Sequence, residues 1–334
     1  MLRYDPRVIR YVFGPDDLGR VRFAIAPAFE LAASLEVLLD PGAQAHHAPW
    51  VHAVREQVDL RDFPLLRAAL GHGGYRPDFL TPPPDTPRPT LAESLARVAA
   101  TPPAQVRKEL AWTFPSGRTP AAAAALAADP VAGIAQLVDE MAGYWERAVA
   151  PWWERIAAAL EADIAHQARA LAAGGPLAAF SELHPRVRWR DGAVEVEHVY
   201  DAEVELGGRG LLLVPAAFVW PGLWAMLDPP WQPAIVYAPR GLGTLWEPAD
   251  RPRAEALDAL LGARRARILA ELSAPTSTTD LAARLGASAA GVSEHLGVLR
   301  RAGLVTASRL GRTVLYARSD AGDALLRAPV EDRP

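Results

Sequence analysis

Cysteine is absent from this 334-residue chain. That excludes disulfides, zinc–thiolate sites, iron–sulfur ligation and a cysteine nucleophile. Lysine is almost absent too: Lys108 stands against 34 arginines. With the many alanines, that bias reads as the imprint of a GC-rich genome, so arginine excess alone is no nucleic-acid signal. No apolar run is long enough to span a bilayer. The longest, residues 210–227, is interrupted by Pro215 and Pro221 and falls short of the ~20 residues required. Met1 to Arg10 carries three arginines and no apolar segment, so no secretory signal is expected there and a cytoplasmic protein is the default. There is no phosphate-binding loop and no Gly-x-Ser-x-Gly elbow. The expectation is a non-enzyme, with no catalytic residue, cofactor or metal assigned.

What is present is an ordinary globular composition, 50% hydrophobic and 22% charged, of a length that suits two or three domains. The net charge of −4 is unevenly spread. Residues 253–318 hold ten arginines and five acids, so that stretch carries about +5 and the remainder about −9. A small basic module on an acidic body is the distribution expected of nucleic-acid binding.

The fold class expected is α+β, mostly helical, in three parts. Residues 1–185 form a helical region. It begins with an extended stretch, Val8 to Phe13, and a turn at Gly14–Asp17, and Pro27 starts an apolar helix. A second helical stretch runs from about Pro49 to Leu70. Six prolines between residues 73 and 90 read as an exposed linker. The longest helix is expected from Pro151 to Ala173, ending at Gly174-Gly175, with Trp152, Ile156, Leu160 and Ile164 packed on a core. Residues 186–247 switch to period two and predict an antiparallel β unit of five or six strands. Asp191-Gly192 supplies a hairpin turn, and strands follow near 202–206, 210–214, 217–220 and 234–238.

Residues 254–320 read as a winged helix-turn-helix. The first helix, Leu257 to Leu272, places Leu260, Leu261, Ile268, Leu269 and Leu272 inward. Thr278 or Thr279 caps the next, Asp280–Leu285, which Gly286 ends. Ser288 caps a third helix running to about Ala302, whose Val292, Leu296 and Leu299 share a buried face. The opposite face offers Ser288, Ala289, Ala290, Ser293 and Glu294, with His295 at its flank and Arg300 near its end. Side chains this small let a helix enter a major groove about 12 Å wide. Gly303 closes the helix. Strands 304–308 and 313–318 then flank a tip where Arg309 and Arg312 project toward phosphates or the minor groove, beside Thr313.

The runs Thr279–Ser288, Val292–Leu296, Leu299–Val305 and Gly311–Tyr316 together resemble the ArsR/SmtB family of bacterial repressors over about 60 residues. Upstream, Pro233–Tyr237 and Arg240–Glu247 are similar to the long N-terminal region of a subset of high-GC bacterial members. The resemblance implies a homodimeric repressor on double-stranded DNA with an inverted-repeat operator, released by a signal. Metal-sensing members use cysteines before the recognition helix or acid and histidine pairs in a C-terminal helix. This chain has no cysteine and its tail, 319–334, has no histidine, so sensing through those sites is not expected.

Other constellations read as structural. His46, His47 and His52, with His72 further on, are taken as a polar loop in preference to a metal site. Glu195, Glu197 and His198 sit in a strand whose two glutamates share a solvated face, in preference to a hydrolytic carboxylate pair, and Gly207–Gly210 is a hairpin turn. Trp145, Trp152, Trp153, Trp220, Trp224, Trp231 and Trp246 are assigned to core and dimer packing, with a cavity for a small apolar ligand as the second possibility. The alternative for the whole chain is an enzyme or scaffold domain, residues 1–246, with an appended DNA-binding module.

Overall fold

The computed structural model of the chain describes residues 7–70, 75–246, 251–272, 275–310 and 313–327. They divide into two compact units, Met1–Trp246 and Glu247–Pro334.

The first unit opens with strands β1 (Arg7–Val12) and β2 (Arg22–Phe23), then helices α1 (Pro27–Leu39), α2 (Ala48–Arg55) and α3 (Pro64–Leu70). Helices α4 (Leu91–Ala99), α5 (Pro103–Thr113), α6 (Ala121–Ala128), α7 (Pro130–Ala148) and α8 (Trp153–Leu183) follow. Strands β3 (Val187–Arg190), β4 (Ala193–His198), β5 (Ala202–Glu205), β6 (Leu212–Pro215), β7 (Leu223–Met226) and β8 (Ala234–Tyr237) complete it. Local chemistry explains many boundaries. Proline occupies the first turn of α1, α2, α5 and α7, where its missing N–H has no partner to lose. Thr90 and Glu93 form a reciprocal capping box at the start of α4. Asp191 and Gly192, both at positive φ, make the turn between β3 and β4. The long helix α8 is interrupted where the sequence suggests, at Gly175 with φ 69°.

The strands between residues 186 and 246 fall into two sheets, and each recruits a strand from the N-terminus. One sheet has the order β3-β4-β1-β5 and the other β2-β6-β8-β7. The pairs β1–β5, β2–β6 and β6–β8 are parallel, so residues 186–247 are completed by partners some 190 positions away. The second sheet is the middle of three layers. Leu212 and Val214 of β6, with Ala234 and Val236 of β8, join the core of the helical layer. Their neighbours Leu213, Ile235 and Tyr237 join the core shared with the first sheet, beside Ile9, Val194 and Val196. Burial on both faces explains why β6 and β8 read as continuous apolar runs without alternation. The Tyr11 hydroxyl ties the sheets together, 3.1 Å from the Met226 carbonyl and 3.2 Å from that of Ala234.

The proline-rich stretch is not an exposed linker. Residues 77–84 are buried, with Phe79 fully inside the helical core. Proline carries no backbone N–H, so a proline-rich segment buries fewer donors that need partners. One donor that remains, Phe79 N–H, bonds the Glu109 carboxylate at 2.7 Å.

Residues 217–219 form a 3-10 turn where a strand is expected, and the strand lies at β7. The cause is Glu30 of α1, fully buried. Its carboxylate accepts the N–H groups of Ala217 at 2.6 Å and Phe218 at 3.2 Å. Burial outweighs those two bonds and pushes its pKa up to about 7. An acid raised in the fold ionises first in the unfolded chain, so stability falls as pH rises from 4.5 to about 7. Across that window Glu30 alone is expected to cost about 3 kcal/mol, at about 1.4 kcal/mol per unit. Urea unfolding at pH 5 and pH 7.5 checks it: Glu30→Gln removes that share of the slope, and an unchanged slope would assign it elsewhere.

Gly207–Gly210 is a connection between the two sheets, not a hairpin. Gly210 has φ +66°, and a Cβ there would lie 2.3 Å from the Arg20 carbonyl oxygen. Its N–H donates to buried Asp17 at 2.9 Å. Glu195 and Glu197 are half-buried and lie beside Arg10 (3.6 Å) and Arg188 (3.1 Å). The histidines are not a polar loop. His47 is fully buried and accepts the Trp246 indole N–H at 3.0 Å, with Phe218 packed alongside. His46 stacks between His47 and Trp220, His52 is exposed, and His72 lies outside the described residues. Among the described residues no group of three histidine or acidic side chains is placed to hold a metal ion. Also among them, no helix is long and apolar enough to cross a membrane.

Candidate nucleic-acid interface

The second unit contains α9 (Arg251–Leu261), α10 (Ala263–Glu271), β9 (Thr276–Ser277), α11 (Thr278–Leu285), α12 (Ala289–Arg301), β10 (Val305–Leu310), β11 (Thr313–Arg318) and α13 (Asp320–Arg327). The single first helix expected from the sequence is two, because Gly262 breaks it at φ 83°. Leu260, expected inward, is 66% exposed, whereas Leu261 packs on the core.

The turn between α11 and α12 follows from three residues. Ser277, not Thr278 or Thr279, caps α11, accepting the Asp280 N–H at 3.2 Å. Residues Thr276 and Ser277 are extended because they pair with Tyr316 and Leu315 of β11, so the last extended residue becomes the cap. Gly286 ends the helix at φ 61°. Ser288 caps α12, accepting the Gly291 N–H at 3.2 Å.

Helix α12 is two-faced. Val292, Leu296 and Leu299 are buried against Ile268, Leu269, Leu281 and Val305. Ser288, Ala289, Ala290, Ser293, Glu294 and Arg300 are exposed, and His295 is half-buried at their edge. Thr279 is exposed in the first turn of α11. After Gly303, at φ 74°, β10 and β11 pair antiparallel from Val305↔Arg318 to Leu310↔Thr313. Arg309 is exposed on β10. Arg312 lies outside the described residues, and Thr313 is placed only as the first residue of β11.

Two of the arginines that give this stretch its positive charge are used inside the fold. Arg284 donates to the Thr276 hydroxyl at 2.8 Å. Arg318 bonds Asp323 at 2.6 Å and donates to the carbonyls of Leu269 and Ala270, at 3.4 and 3.1 Å, near the end of α10. A charge count cannot see these roles, since they depend on which strand lies beside which helix.

Three helices with a two-stranded wing define a winged helix-turn-helix. Residues 264–306 match a helix-turn-helix domain family and residues 109–241 match a family of unknown function, DUF5937. The HTH-type transcriptional regulator NmtR of Mycobacterium tuberculosis is 41% identical over 68 residues, 20% of this chain and 57% of that protein. The chain therefore spans little more than half the length of that curated relative. HlyU from Vibrio cholerae is a similar solved structure: 26% identical, over 24% of this chain and 91% of that one, with a TM-score of 0.19. The C-terminal module of this chain thus matches a helix-turn-helix domain family and is similar to part of an HTH-type transcriptional regulator, and it follows a region that matches a family of unknown function.

Proposed function

We propose that the chain is a DNA-binding transcriptional regulator, acting as a homodimeric repressor. Helix α12 enters the major groove, and the β10–β11 wing holds the sugar–phosphate backbone. The observation that carries this reading is the outward face of α12. Its small side chains are exposed opposite the packed Val292–Leu296–Leu299 face, in a module of a type shared with a relative titled a transcriptional regulator. The free N–H groups at the start of α12 suit a phosphate. Self-association is assigned to the first unit. Signal sensing falls to the first unit, which contains a cleft of about 470 Å³, more room than a plain scaffold needs.

Selection of bound sequences from a random duplex pool, at several salt concentrations, tests the reading. An inverted repeat with half-sites about one helical turn apart is expected. Changing Arg309 and Arg312 together to alanine is expected to weaken binding to all sequences alike and to flatten the salt dependence by about one unit of slope per lost phosphate contact. Changing Ser293 or Glu294 is expected instead to shift base preference, by about 1–3 kcal/mol at the affected position. A wing double variant that holds its selected operator as tightly as the parent at every salt concentration sinks the wing assignment.

A further inference from the structure

The cleft in the Met1–Trp246 unit lies between α1, the buried proline-rich strap, the residues after β4, and β7. Its apolar wall includes Phe29, Leu80, Leu223 and Met226, and Trp224 adds an aromatic face. Its polar groups have an acidic bias. Asp78, on the strap, is 9% exposed and accepts the Tyr75 hydroxyl at 3.1 Å. Asp228 lies in the same wall. Behind Asp78 stands buried Glu109, held by Gln105 at 2.6 Å and the Trp231 indole at 2.7 Å. Arg76, also in the wall, is already ion-paired with Glu36 and lies 4.5 Å over the Trp224 ring. His198 has a buried Nδ1 without a partner and packs against Tyr200.

We infer that this cleft takes a small organic cation, an ammonium or amidinium on an apolar body, as the regulator's effector. The identification rests on the regulatory reading above. Asp78, Asp228 and Glu109 are the acids in and behind the wall, and the Arg76 guanidinium is already neutralised by Glu36. The aromatic faces suit the rest: Arg76 over Trp224 shows that this wall accepts a cation stacked on an indole. An anion meets acids and no free positive partner, and a purely apolar ligand leaves the His198 nitrogen unpaired.

Protonation follows from the same groups. Burial, then Glu109 and Asp228, holds Asp78 well above the usual carboxylate range. Tyr75 and Tyr200 stay neutral beside it. Burial, then Arg186 and Arg76, keeps His198 below the usual histidine value. Lys108, whose ammonium sits 4.5 Å over the Trp112 ring, only partly offsets the burial of Glu109. Burial therefore favours the neutral form of Asp78 in the empty cleft. An arriving positive charge favours the carboxylate, so the Asp78 proton leaves to solvent as the cation binds. Affinity for a permanent cation then rises with pH until Asp78 is ionised without ligand.

The test uses the full chain and three probes that share a phenyl ring: benzyltrimethylammonium, benzyl alcohol and benzoate. Titration calorimetry in two buffers of different ionisation enthalpy, with tryptophan fluorescence, gives affinity and proton release together. The cation is expected to bind at least tenfold more tightly than either other probe and to release a proton. Asp78→Asn is expected to lose at least tenfold in affinity and the proton release. Asp228→Asn is expected to lose several-fold, and it carries the test if Asp78→Asn fails to fold by circular dichroism. Equal binding of the three probes, preference for benzoate, or no binding of the cation overturns the inference. Operator binding is measured separately. A chain that binds its operator yet prefers benzoate rejects the cation alone. A chain that binds the cation through Asp78 but no DNA rejects the regulatory reading and leaves the ligand site standing. If saturating cation changes operator affinity less than threefold, the effector role falls.

Discussion

Acidification from pH 6.5 to pH 3 is expected to cost the Met1–Trp246 unit roughly 5 kcal/mol through His47 alone, at about 1.4 kcal/mol per unit. Burial, with the neighbouring His46, pushes His47 down to about 3 from an ordinary 6.5, partly opposed by the Ala217 backbone. The geometry agrees: His47 Nδ1 accepts from the Trp246 indole, so it needs a free lone pair. Below pH 6.5 the unfolded chain takes up a proton that the folded chain refuses, and stability falls until both are protonated below about pH 3. His47→Gln keeps an acceptor for Trp246 and cannot titrate. Urea unfolding at pH 6.5, 5.5 and 4.5 is expected to show the variant losing less stability than the parent, by about 3 kcal/mol across those two units. Parallel curves for parent and variant would remove His47 as the cause. Glu30 acts in the opposite sense between pH 4.5 and 7, and both side chains touch the 217–218 segment. Their slopes therefore offset within that window, and a double-mutant cycle is expected to show coupling.

Trp50→Ala is the second large effect. Trp50 is fully buried, donates to the Ala148 carbonyl at 3.0 Å and packs on Phe218 with ring centroids 4.5 Å apart. Removing it leaves a cavity among side chains from α2, α7, the 217–219 turn and Trp246, too many elements to collapse together. A loss of about 3–5 kcal/mol is expected, with a fall in melting temperature on the order of 10 °C for a unit this size. Trp50→Phe keeps a ring and gives up the indole donor, so a smaller loss is expected. A melting temperature within 2 °C of the parent for Trp50→Ala, as the order-of-magnitude bound, would show that the site repacks.

Much of the second unit was legible because its rules are local. Gly286, Ser288 and Gly303 announce their turn and cap within a few residues, and Val292, Leu296 and Leu299 announce a face. What stayed hidden depends on partners far along the chain. Ser277 replaces Thr278 as the cap because β11, nearly 40 residues on, pairs with it. The strap at 77–84 looks like a linker by composition, yet Glu109 supplies the acceptor that lets Phe79 go inside. Residues 217–219 look like a strand until Glu30 claims their N–H groups. Gly210 looks like a hairpin glycine, and its real constraint is the Arg20 backbone. For the outward face of α12 the sequence sufficed. For the cleft it offered only Trp224, one of seven tryptophans considered, and His198 as the strand neighbour of Glu195 and Glu197, while Asp78 carried no signal of its own.

The middle sheet places adjacent residues in different surroundings. Leu212 faces the helical layer and Leu213 the first sheet, although one peptide bond joins them. Isotope-labelled methyl groups at these two positions are therefore paired reporters. A disturbance confined to the helices, such as Trp50→Ala, is expected to move the Leu212 resonances first, and one confined to the outer sheet those of Leu213. A spectrometer can thus tell which layer has loosened before the whole unit melts.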